Sequence, residues 1–203
     1  MFRETIMDIF ADIWPMMFIS SIILISIRVA YLYVKKQKIV LYKELLSLVF
    51  MLYILCLFHV VTFQDVSWST SNFIPFKEMF RYELGSRLFF KNVVGNMIMF
   101  LPYGFFIAHF LKGKRPLLIT ILIFIASFTI ETTQLWIGRV FDVDDIILNV
   151  LGGLIGYLIY VIGDMIREKL PKFLKTEWFY NIIFLVLILI CILYLGNVIN
   201  IGR

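Results

Sequence analysis

The sequence predicts an all-α fold, a polytopic transmembrane helix bundle of about six spans. Three observations carry that prediction. The chain is 62% hydrophobic and 16% charged over 203 residues, its apolar residues fall into six long runs, and its Lys and Arg residues collect in alternate gaps between those runs. With so little charge, and a mean hydropathy of +0.94, the chain lacks the polar surface to cover a water-facing globule. Lipid is the solvent for most of it.

Each span follows from length. A helix rises 1.5 Å per residue, so crossing a hydrocarbon core of ~30 Å takes about 20 apolar residues. Runs of that length occupy 14–34, 43–63, 90–111, 116–136, 145–166 and 180–200. The breaks are polar or basic: KKQK at 35–38, a long segment at 64–89, KGKRP at 112–116, GRVFDVDD at 138–145 and REKLPKFLK at 167–175. No stretch remains for a soluble domain, so 1–203 reads as a single membrane domain.

Orientation follows from the basic residues, because short cytoplasmic loops hold an excess of them. Lys35, Lys36, Lys38 and Lys43 join the first two spans, Lys112, Lys114 and Arg115 the third and fourth, and Arg167, Lys169, Lys172 and Lys175 the last two. These three loops are expected in the cytoplasm, with both termini and the acidic loops outside. Trp14, Trp68 and Trp136 then fall near outer ends and Trp178 near an inner end, where indoles partition. Arg3 and the acids that follow it precede an apolar run too long for a signal peptide, so the first span is expected to be retained. The net charge of +5 belongs to the inner loops. It points to anionic membrane lipids and away from nucleic acid. Cys56 and Cys191 lie inside apolar runs without metal-ligand or redox spacing, and read as packing residues.

Polar residues converge at one end of the bundle. Asn92 and Asn96 are four apart, and Glu131 and Gln134 three apart, so each pair shares a helix face. Arg139, Asp142, Asp144 and Asp145 fill the next loop, and Asp145, Asn149, Gly152 and Gly156 form one stripe down the fifth span. Glu131 sits about five residues, or roughly 8 Å, inside its span. A carboxylate there is costly unless it faces the bundle, water or a partner. Arg139 is expected to pair with it, and Asn92 or Asn96 to donate to it.

Two readings stand side by side. The cluster is helix glue, or it is a ligand-facing site of Asn92, Asn96, Glu131, Gln134, Arg139, Asp142, Asp145 and Asn149. Glu131, Asp142 and Asp145 are the candidates for acid–base chemistry. No cofactor motif or metal site is expected: the run Asp142, Asp144, Asp145 lacks the Gly and terminal Glu of an EF-hand loop, and no HExxH or phosphate-binding loop occurs. His59 and His109 are isolated. Gly152 and Gly156 read as a close helix contact, Pro102 and Gly104 as an interruption of the third span, and Arg28 as a snorkelling side chain without function. The segment 64–89, apolar around Trp68, Phe73, Ile74, Pro75 and Phe76, is expected to lie on the outer interface as a lid.

These residues resemble those of the VanZ-like membrane proteins. The pattern runs Asn72, Phe73, Ile74, Pro75, Phe76; then Asn92, Asn96, Phe100, Pro102, Gly104; then Glu131, Gln134; then Gly138, Arg139, Phe141, Asp142, Asp144, Asp145; then Asn149, Gly152, Gly153 and Gly156. It covers roughly 42–162 and leaves 1–41 and 163–203 as flanking helices. The resemblance implies a multi-pass protein of the bacterial, Gram-positive cell envelope that provides antibiotic resistance to teicoplanin-like lipoglycopeptides. The resemblance brings with it no established reaction and no established catalytic residues.

Three function classes follow. The first is a binding protein that engages a lipoglycopeptide antibiotic, a lipid-linked wall precursor or a partner protein at an outer-leaflet polar site. The second is a membrane enzyme acting on a lipid-linked wall substrate through Glu131 and the loop carboxylates. The third is a transporter, ranked last because no internal repeat and no polar path across the inner half is visible. The sequence leaves the ligand and the oligomeric state open.

Overall fold

The computed structural model describes residues 2–36, 38, 40–63 and 71–201. Asp65 and Trp68 lie outside the described residues, and so do the side chains of Glu4, Asp8, Asp12 and Cys191. The fold is all-α: α1 (Phe2–Lys35), α2 (Leu41–Phe63), the short α3 (Arg87–Phe89), α4 (Gly95–Phe110), α5 (Pro116–Trp136), α6 (Val143–Lys169) and α7 (Glu177–Ile201). Among the described residues no strand forms; Asn72 and Asp142 make an isolated parallel bridge.

Five helices are long and apolar enough to cross a membrane, namely Ile13–Lys35, Leu41–Thr62, Arg87–Phe110, Pro116–Trp136 and Val143–Lys169. The described part of the last helix, Glu177–Ile190, is apolar as well. The protein is therefore a multi-pass membrane protein. Its third span is not one regular helix. Between α3 and α4 lies a π-helical turn, Phe90–Val94, and Asn92 sits in it. The expected interruption at Pro102 is replaced by this turn, since α4 continues through Pro102. Such turns widen a helix by one residue and often accompany functional positions.

The chain divides into two compact units, Met1–Cys56 with Arg167–Arg203, and Leu57–Ile166. In the first, Arg28 forks onto Glu44 at 2.6 and 3.1 Å and lies over the Tyr31 ring. Arg28 thus has a carboxylate partner on the next helix, correcting the reading of a lone snorkelling side chain. Lys43 reaches Glu177 at 3.2 Å, and the Tyr42 amide donates to Asn181 Oδ1 at 2.9 Å.

The second unit is built on glycine. A Cβ on Gly152 or Gly156 would collide with the carbonyl oxygens of Met97 and Leu101, and one on Gly104 with that of Gly153. Helices α4 and α6 therefore meet backbone to backbone, as expected for small residues at a membrane interface. Beside them the α5 stripe Ile119, Ile123, Ser127, Glu131 is buried at every fourth residue. Its apolar part packs with Phe100 and Ala108.

Candidate functional site

The site begins where α5 ends. Gly138 has φ +80°, a left-handed conformation that costs glycine little. Its amide donates to Leu135 O at 3.2 Å and that of Arg139 to Gln134 O at 2.8 Å, a Schellman closure. The chain turns back, and the Arg139 guanidinium donates to the Val61 carbonyl.

Three residues later Asp142 starts α6. Its Oδ1 accepts the Asp144 amide at 2.9 Å, the bond of an N-cap that satisfies an otherwise orphaned helix donor. The same oxygen accepts Asn72 Nδ2 at 2.9 Å. The Asp142 amide donates to Glu131 Oε2 at 3.0 Å, so α5 holds the start of α6 through a buried carboxylate.

The segment after α2 is threaded into this junction. Asn72 N donates to Phe141 O at 2.8 Å and Val143 N to Asn72 O at 3.1 Å, while Ile74 N donates to Asn72 Oδ1 at 3.1 Å. Asp144 then gathers the rest. It accepts the amides of Phe76, Glu78 at 2.7 Å and Met79 at 2.9 Å. Phe76 is held at φ +67°, a strained backbone for a residue with a Cβ, and the Asp144 contact offsets that strain. Asp144 is only 1% exposed. Above the buried carboxylates Phe73, Ile74, Phe76, Phe80 and Leu84 all face outward, Leu84 at 87% exposure. Phe73 stacks on Phe141, with ring centroids 5.3 Å apart.

Below this layer lie the remaining polar groups. Asn96 Nδ2 donates to Asp145 Oδ1, and Asn149 Nδ2 to Ser127 Oγ at 3.0 Å. Glu131 is 2% exposed. With its nitrogen turned toward Glu131, the Gln134 amide donates to both carboxylate oxygens at 3.0 and 3.3 Å. That orientation avoids setting one acceptor against another. Burial pushes the Asp142 carboxyl above the usual carboxylate range, partly offset by its bonds from Asn72 and the Asp144 amide; nearby Asp144 and Glu78 push it further up.

The structure thus brings Asn96, Glu131, Gln134, Arg139, Asp142, Asp145 and Asn149 to one end of the second unit. Three expected pairings change. Arg139 binds a backbone carbonyl and makes no ion pair with Glu131 within 4.0 Å, Asn96 serves Asp145, and Asn92 stays half-buried in the π turn without joining a carboxylate. Asn72, Asp144 and Ser127 belong to the cluster, although the expected ligand-binding set omits them. Ser127 had a signal: it stands one turn before Glu131 on the same face. Among the described residues no three His, Cys, Asp or Glu side chains form a metal-binding group.

Fold and site define the class: a multi-pass α-helical membrane protein with a largely buried, carboxylate-rich cluster hydrogen-bonded to an apolar segment. The chain belongs to the VanZ-like family, since the VanZ/LLP1 family model matches residues 45–167, a stretch that contains every residue of the cluster. No curated protein and no solved structure matches the chain.

Proposed function

We propose that this protein lowers susceptibility to teicoplanin-like lipoglycopeptides in a Gram-positive cell envelope, by engaging a lipid-tailed ligand at a polar site under the outer leaflet. One juxtaposition carries the reading. Phe73, Ile74, Phe80 and Leu84 are exposed, while Asn72 and Asp144 tie the same segment to the cluster of Glu131, Asp142 and Asp145. An apolar surface beside buried polar groups is complementary to a molecule with a tail and a polar head. The outer placement is supported by the basic loops 35–43, 112–115 and 167–175, which carry the positive charge that marks a cytoplasmic side. The segment 71–89 acts as the lid of the site, and its apolar side chains meet the tail.

The test is binding by the purified full chain in lipid nanodiscs, titrated with a teicoplanin-like lipoglycopeptide, its analogue lacking the acyl tail, and a lipid-linked wall precursor. Saturable binding that needs the tail is expected. Equal binding of the tail-less analogue, or no binding of either lipid-tailed molecule, contradicts the proposal. Covalent conversion of the precursor by wild type and not by Glu131→Gln assigns the site to an enzyme instead.

A further inference from the structure

We propose that the cluster takes a protonated amine, the ammonium head of a lipid-tailed ligand, in preference to a phosphate-bearing head; the inference rests on the reading that such a ligand is engaged here. The first observation is charge. Glu131, Asp142, Asp144 and Asp145 gather around the start of α6, and among the described residues Arg139, whose guanidinium donates to the Val61 carbonyl and acts through space on Glu131 and Asp145, sets one positive charge against these four acids. Glu78 is matched by Arg81 at 3.0 Å, and Lys77 and Lys91 are exposed. The hydrogen bonds that the four carboxylates accept from described residues come from neutral amides: the backbone of Phe76, Glu78, Met79, Asp142 and Asp144, and the side chains of Asn72, Asn96 and Gln134. Neutral donors satisfy lone pairs without supplying a cancelling charge.

The second observation is independent of charge. Asn149 is 2% exposed, its Nδ2 is bound to Ser127, and its Oδ1 meets no donor among the described residues. A buried acceptor without a donor is rare and calls for an explanation. Asn149 stands one turn after Asp145 on the same face of α6, and a helical Cα–Cβ bond leans toward the helix N-terminus. Its side chain therefore leaves the backbone toward the turn that carries Asp145. Apart from the Arg139 guanidinium, the unmet capacity of the site among the described residues is acceptor in kind. An ammonium supplies three N–H donors and a positive charge, which matches Glu131, Asp145 and Asn149 Oδ1. A phosphate supplies acceptors and more negative charge, and like charges repel strongly where water is scarce.

The experiment is thermal melting of the purified full chain in nonionic detergent with dodecylammonium, dodecyltrimethylammonium or dodecyl phosphate, and with sodium chloride against choline chloride. Dodecylammonium should raise Tm by about 5 °C at ~100-fold excess over its half-saturating concentration. The trimethyl analogue, charged but without donors, and the phosphate should not, and the two salts should give equal Tm. The shift should vanish in Asp145→Asn and in Asn149→Leu; Glu131→Gln tests the same loss should either fail to fold. An equal shift from the phosphate or the trimethyl analogue, a shift from sodium alone, an unchanged shift in the folded variants, or no shift from any probe overturns the proposal. Retained lipoglycopeptide binding without amine preference refutes the amine head alone, whereas loss of both refutes the site.

Discussion

Two carboxylates inside membrane helices are treated in opposite ways. Glu44, near the start of α2, is forked by Arg28, and the pair remains partly open, with side-chain exposures of 48% for Arg28 and 20% for Glu44. Glu131, near the end of α5, is buried and bonded to an amide of the backbone and, through Gln134, to a neutral side chain. The first charge is cancelled where it stands, so nothing further is asked of it. The second is held by neutral hydrogen-bond donors, with the Arg139 guanidinium acting on it through space and not as an ion pair within 4.0 Å. An intramembrane acid is costly; Glu131 joins α5 to the start of α6 through the Asp142 amide, and under the proposed function its carboxylate also serves a ligand. The two units differ in the same sense: charged pairs join helices in the first, and glycine contacts with hydrogen bonds from neutral donors join them in the second.

If that contrast is right, the largest stability effects belong to the glycine contact. Gly152→Leu drives a side chain into the Met97 carbonyl and should abolish assembly of the membrane-inserted protein, whereas Gly163→Leu, where a Cβ meets nothing within 4 Å, should leave Tm unchanged. Size-exclusion profiles with melting curves check both. Next comes the tie between the segment and α6. Asp144→Ala removes the acceptor of three backbone amides and should cost about 3 kcal/mol, with proteolysis appearing first within 71–81.

Smaller effects sharpen the comparison. Breaking the partly exposed pair with Glu44→Gln should cost no more than ~1 kcal/mol, and the difference should shrink in high salt. The least is expected from Asp142, where the folded carboxyl titrates above its unfolded value. A raised carboxylate pKa means that ionisation opposes the fold, fully so above the folded pKa, and that the opposition fades as pH falls through it toward the unfolded value of about 3.9. Asp142→Asn, which keeps the capping oxygen, should therefore melt slightly above wild type at pH 7, and the gap should close on acidification. A gap that widens on acidification reverses the assignment.

The fold was legible because hydropathy reports the bilayer directly: the six apolar runs correspond to helices, and their ends shift by only a few residues except in α1, which extends back to Phe2. The stripe Asp145, Asn149, Gly152, Gly156 was legible from its spacing. Partner choice was not. Arg139 is one residue past a left-handed glycine, and the Schellman closure aims it at Val61 rather than Glu131. Asn96 and Asn92 are one turn apart in sequence, but the π turn at Phe90–Val94 breaks the register that would have set them on one face. The role of Asp144 depends on a segment more than sixty positions earlier in the chain, and no local periodicity encodes that meeting.

The central claim, that the charge of Glu131 serves a ligand and not the fold, is tested most directly by measuring lipoglycopeptide susceptibility and Tm together in Glu131→Gln and Glu44→Gln. Gln keeps the size and one carbonyl acceptor, and interhelical hydrogen bonds in membranes are worth only ~0.6 kcal/mol on average. The account predicts that Glu131→Gln loses resistance at unchanged membrane level with Tm within about 2 °C of wild type, while Glu44→Gln keeps resistance. Full resistance from Glu131→Gln, or a loss of resistance that follows the fall in Tm across both variants, would contradict it.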